Sequence, residues 1–185
     1  MLWESARLMA SVLAENPNIV AGKRVLELGC GSGGICSMIA SRHANQVVAT
    51  DGDDSSLDLL AKNVASNIES PLLNKLTTKK LEWDVTYIAE AIVPLFGTAK
   101  ELIASSASNK NENVPALILC HIFRRVDEPT LLSAAAQFGF RLVDKWPTRI
   151  STEMSRSVID NWFMDNDLKD DLPSKALNIL LFCQE

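Results

Sequence analysis

Glu27, Gly29, Gly31, Gly33 and Asp51 are the residues whose types and spacing point to chemistry. Glu27 lies in the apolar run Val25-Leu26-Glu27-Leu28, and Gly29-Cys30-Gly31-Ser32-Gly33-Gly34 follows. A backbone without Cβ atoms lets a ligand approach closely. The helix expected from Gly34 adds free N–H groups and a favourable dipole. Gly29, Gly31 and Gly34 also satisfy G-x-G-x-x-G, a pattern that only its context can assign. Glu27 separates two ligands. A carboxylate two residues before the first glycine repels a pyrophosphate, whereas the amino group and sulfonium of S-adenosylmethionine are cations that it favours. The spacing therefore favours S-adenosylmethionine over a nicotinamide dinucleotide. The plainer alternative is a surface glutamate beside an ordinary glycine turn.

Asp51 ends the second apolar run, Gln46 to Thr50, 22 positions after Gly29. That offset suits an acid accepting hydrogen bonds from ribose hydroxyls. Asp53 or Asp54 is expected to cap the next helix.

The elements that must position these residues alternate. Strands are expected at Arg24–Leu28, Gln46–Thr50, Leu76–Trp83, Ala116–His121, Phe140–Lys145 and Leu177–Cys183. Helices are expected at Trp3–Ala14, Gly34–Arg42, Ser55–Ile68, Ile88–Ala104 and Pro129–Phe138, the fourth beginning only after Val93 because of Pro94. Ser105–Asn113 and Met164–Ser174 read as loops. The pattern is α/β: a Rossmann-like, mostly parallel sheet with helices on both faces. Between the third and fourth helices only Lys75 to Tyr87 is free for strands, enough for one strand but not two.

The 185 residues suit one domain, and 47% hydrophobic content with a mean hydropathy of +0.07 is globular. A net charge of −5 gives no basic footprint for nucleic acid. RNA binding is expected only with help from a partner domain, and no apolar run is long enough for a membrane. Four cysteines, without a metal-ligand spacing, read as buried reduced thiols of a cytoplasmic protein. His121 reads as a half-buried histidine with a backbone partner rather than a general base. Arg124 and Arg125 read as surface partners for Asp127 and Glu128.

Glu27 to Gly33, Asp51-Gly52, Leu81-Glu82-Trp83 and Asp84-Val85-Thr86-Tyr87 resemble the seven-strand S-adenosylmethionine-dependent methyltransferases, in the group that contains protein lysine methyltransferases. Some details are similar to the transfer-RNA 3-methylcytidine methyltransferase-like proteins of plants. The resemblance implies that Glu27, Gly29 and Gly31 line the methionine end of the cofactor. It puts Asp51 on the ribose, Trp83 beside the adenine and Trp3 in a covering helix. Asp84 and Tyr87 would face the methyl donor as catalytic residues. It implies a lysine or another nucleophile as acceptor, on a protein or a small molecule. In the relatives a loop and a fourth strand separate the counterparts of Trp83 and Asp84, which are adjacent here. The expectation is one methyltransferase-like domain, residues 1–185, shortened at 83–84, with strand four absent or rebuilt. Strand one is then left with an unpaired flank. The alternatives are a domain related to transfer-RNA cytidine methyltransferases and a non-catalytic shortened form that binds cofactor poorly.

Overall fold

The computed structural model describes residues 3–81, 89–106, 115–122, 126–147, 157–163 and 177–184. The chain divides into two compact units, Met1–Asp84 and Val85–Glu185. The division falls beside the 83–84 junction at which the sequence reads as shortened.

The first unit runs α1 (Glu4–Glu15), a 3-10 turn (Pro17–Ile19), β1 (Arg24–Leu28), α2 (Ile35–Ser41), β2 (Gln46–Asp51), α3 (Asp54–Asn67), α4 (Ser70–Leu73) and β3 (Leu76–Lys80). The strands form a parallel sheet in the order β1-β2-β3. Glu27 stands opposite Ala49, and Asp51 opposite Lys80. α1 packs on α2, burying Leu8, Val12 and Leu13 at helical spacing. Val47, Ala49, Leu60 and Val64 join Leu13, Cys36 and Ala40 in one core. Each large aliphatic side chain buried there is worth about 1.5–3 kcal/mol. Asp53 caps α3, its Oδ2 accepting from the Ser56 N–H at 2.9 Å. The hydroxyl and amide donors around it pull its pKa down to about 2.

Among the described residues β1 pairs with β2 alone. Leu26 in that strand is 36% exposed.

The second unit runs α5 (Ala89–Ser106), β4 (Ala116–Ile122), α6 (Glu128–Gln137), β5 (Phe140–Trp146), α7 (Val158–Asn161) and β6 (Leu177–Gln184). Its sheet has the order β4-β6-β5 with both pairings antiparallel. The middle strand is buried from Leu177 through Phe182. Phe96 of α5 packs with its ring centroid 5.6 Å from both Phe140 and Phe182.

Several boundaries differ from the sequence reading. Trp3 precedes α1 as its N-cap instead of opening the helix. The third strand ends at Lys80 and Leu81 lies beyond it, while 82 and 83 are outside the described residues. The Pro94 helix does not wait for Val93: α5 begins at Ala89 with the proline inside it. Proline in a helix costs ~3 kcal/mol, and the burial of Ala91, Ile92, Leu95, Phe96 and Ala99 on one helix outweighs it. The same helix carries Ser105 and Ser106, so the loop begins later than expected.

Candidate cofactor site

The site is built within the first unit, on the carboxyl ends of β1 and β2. The bend after β1 is fixed by backbone bonds: the Cys30 N–H donates to the Thr50 carbonyl at 2.9 Å and the Gly34 N–H to the Cys30 carbonyl at 3.1 Å. Asn63 of α3 clamps the far side, Nδ2 donating to the Ser32 carbonyl at 2.8 Å. Gly31 has φ +57°, and a Cβ built on it meets nothing within 4 Å. The bend thus presents bare backbone to open space.

Two carboxylates wall the bend. Asp51 Oδ2 accepts the Gly31 N–H at 2.7 Å, and its Oδ1 accepts the Asp53 N–H at 3.1 Å. Each oxygen keeps a lone pair for a further donor. Glu27 reaches from β1 to the first turn of α2, where its Oε2 accepts the Ser37 N–H at 2.9 Å and also the Ser37 hydroxyl. Burial pushes the Glu27 carboxyl pKa up, and the negative Asp51 pushes the same way. The Ser37 donors and the Cys36 thiol pull it back. Burial, then Glu27 and Asp51, raise the Cys30 thiol to about 12, so its sulfur is inert and its backbone carries the role.

This arrangement fits S-adenosylmethionine. A pyrophosphate would need the N–H groups of the first turn of α2, and the carboxylate of Glu27 already holds that of Ser37. A cation beside Glu27 and Asp51 relieves their mutual repulsion. Open space over Gly31 gives such a ligand access to the backbone.

The structure brings Glu27, Gly29, Gly31 and Asp51 to one bend. Trp3 stands 59% exposed ahead of α1. Trp83, Asp84 and Tyr87 lie outside the described residues, as do Arg124 and Arg125. Asp127 caps α6 by accepting the Thr130 N–H, and Glu128 pairs with Lys145 at 2.6 Å. His121 is 3% exposed; burial lowers its pKa and a bond with the Val126 backbone opposes that, in keeping with a packed histidine. Sequence reasoning alone does not single out Ser37, Thr50 or Asn63. A serine ten residues after the strand acid is the one available signal.

A family model described as lysine methyltransferase matches residues 1–95. The chain belongs to the lysine methyltransferase family. It is 31% identical over 97 residues to protein N-terminal and lysine N-methyltransferase EFM7 of Cryptococcus neoformans, covering 52% of this chain and 31% of that protein. It is 26% identical over 162 residues to protein-lysine N-methyltransferase EFM3 of Chaetomium thermophilum, covering 75% and 47%. The chain thus spans between about a third and a half of these relatives. Its fold is similar to that of magnesium protoporphyrin IX methyltransferase from Synechocystis with bound SAM, with a TM-score of 0.58 at 15% identity over 98% of this chain and 78% of the other. The Rossmann-like fold and the cofactor expectation, S-adenosylmethionine, agree with the family.

Proposed function

We propose that this chain binds S-adenosylmethionine at the Glu27–Gly31–Asp51 bend and directs methyl transfer to the side-chain amine of a lysine in a protein. The observation that carries the reading is the Glu27 carboxylate held at the start of α2 beside Asp51. When bound, the cofactor supplies an activated methyl group. The protein's task is then alignment and exclusion of water, so positioning dominates. Glu27 and Asp51 hold the amino and ribose ends, Gly29 and Gly31 give backbone access, and, as the resemblance implies, Trp83 serves the adenine and Trp3 covers the cofactor. Asp84 and Tyr87, named from the resemblance, guide the amine, which must lose a proton before it attacks. The family and the named relatives support a lysine acceptor.

Calorimetric titration tests the binding step. Micromolar affinity for S-adenosylmethionine, with none for a reduced nicotinamide dinucleotide, is expected; the reverse would remove the reading. Transfer is checked with labelled cofactor and a protein extract, followed by hydrolysis and detection of methyl-lysine. Asp84→Ala should keep the binding and lose the label.

A second reading, a non-catalytic form that binds cofactor poorly, draws on the pairing of β1 with β2 alone among the described residues. No binding of the cofactor, together with a broad melt, would favour it.

A further inference from the structure

We propose that Ser37 is a positioning residue for the cofactor site, holding Glu27 as a carboxylate through one oxygen and leaving Oε1 outside that grip. The purpose assigned to it rests on the S-adenosylmethionine reading; the geometry does not. Ser37 is the third residue of α2 and is fully buried. Its backbone N–H and its hydroxyl both donate to Glu27 Oε2. A serine inside a helix commonly returns its hydroxyl to a carbonyl of the preceding turn; this one donates across to the neighbouring strand. The N–H at this position is one of the donors that a helix leaves unpaired at its start, and the dipole there favours an anion.

The surroundings show why such a grip is needed. From β2 the Asp51 carboxylate acts on Glu27, and from the bend the Cys30 thiol faces it. From α2 come the Cys36 thiol and Ser37 itself. None of these groups is a cation. Burial and the Asp51 charge favour a protonated, neutral Glu27, which offers nothing to a positively charged ligand. The Ser37 donors oppose that protonation, because two donors on one oxygen bind the ionised acid more strongly than the neutral one.

The test compares the thermal stability of the unliganded wild type, Ser37→Ala, Glu27→Gln and the double variant at about pH 5 and about pH 8. The deleted hydroxyl bond favours the ionised acid, so the destabilisation by Ser37→Ala is expected to grow with pH. Growth of about tenfold in the unfolding constant corresponds to a pKa difference of about 1. In the Glu27→Gln background that growth should vanish. A penalty equal at both pH values, or one that grows equally in the Glu27→Gln background, overturns the proposal. If Ser37→Ala does not fold, Ser37→Cys, a weaker donor of similar size, is judged by the same two criteria. In calorimetry with S-adenosylmethionine, Ser37→Ala should move the acid limb of the affinity to a pH higher by about 1. A uniform loss across pH overturns the role. Failure of the wild type to bind the cofactor instead removes the functional reading, while the unliganded comparison still judges the Ser37–Glu27 coupling.

Discussion

Gly31 donates its backbone N–H to Asp51 Oδ2 at 2.7 Å, joining the bend after β1 to the end of β2. One carboxylate thereby shapes the loop and flanks the space above it. Its second oxygen accepts the Asp53 N–H, so the same acid also orders the entry to α3. The residue read as a ribose ligand is first a brace for the bend.

Removal of that brace has a graded outcome. Asp51→Ala removes the acceptor of two backbone donors, one part-buried and one exposed, and is expected to lower stability by about 1 kcal/mol, with at least a tenfold loss of cofactor affinity. Asp51→Asn keeps one acceptor oxygen and should fall between Ala and wild type in both respects. Urea denaturation and calorimetry check the pair. Equal affinities for all three proteins would take Asp51 out of the site.

Glu27 sets a pH dependence. Its folded-state pKa is raised, so the native state binds its proton more tightly than the unfolded chain does. The associated stability is present below the ordinary glutamate range and is lost as pH rises through the raised value. Glu27→Gln removes that loss. The variant should melt higher than wild type at neutral pH. The gain should fade toward pH ~4, and cofactor affinity should fall at neutral pH. A melt that is lower at every pH would show that the ionised acid is a net support of the fold.

The second unit has its own polar anchor. Asp144 Oδ2 accepts the Ser157 hydroxyl and the Ile159 N–H, each at 2.8 Å, tying α7 to β5. Asp144→Ala leaves the buried amide of Ile159 without its acceptor and should cost about 2–4 kcal/mol. The loss would be read as an earlier transition of this unit by hydrogen exchange at Ile159. Unchanged exchange there would contradict the anchoring.

The parts legible in the sequence are those whose cause is local. An apolar run, an acid and alternating glycines specify β1, the bend and α2 without help from the rest of the chain. The third strand is likewise legible from its apolar start at Leu76, although its end at Lys80 falls short of the Trp83 expected. The grip of Ser37 on Glu27 is not legible, because a strand residue and a helix residue meet only after folding. The start of α5 is misread at Pro94 when local backbone preference is weighed without the burial of Phe96 and Leu95. α4 and α7, each of four residues, are too short to show a periodic face.

Gly31 and Gly34 separate ligand access from packing, and their alanine variants should fail differently. Both hold positive φ, +57° and +51°, so alanine at either adds about 1–2 kcal/mol of backbone strain. At Gly31 the new methyl meets no protein atom within 4 Å; it projects into the space assigned to the cofactor. At Gly34 it collides with the Leu60 side chain, a fully buried core residue. Gly31→Ala should therefore lose stability only by that backbone strain, about 1–2 kcal/mol, yet lose at least tenfold in affinity for S-adenosylmethionine. Gly34→Ala should lose a further ~1–3 kcal/mol of stability from overpacking. Urea denaturation and calorimetry on the two variants check the contrast. Wild-type affinity in Gly31→Ala would mean that no ligand approaches that backbone, and the cofactor would have to be placed elsewhere.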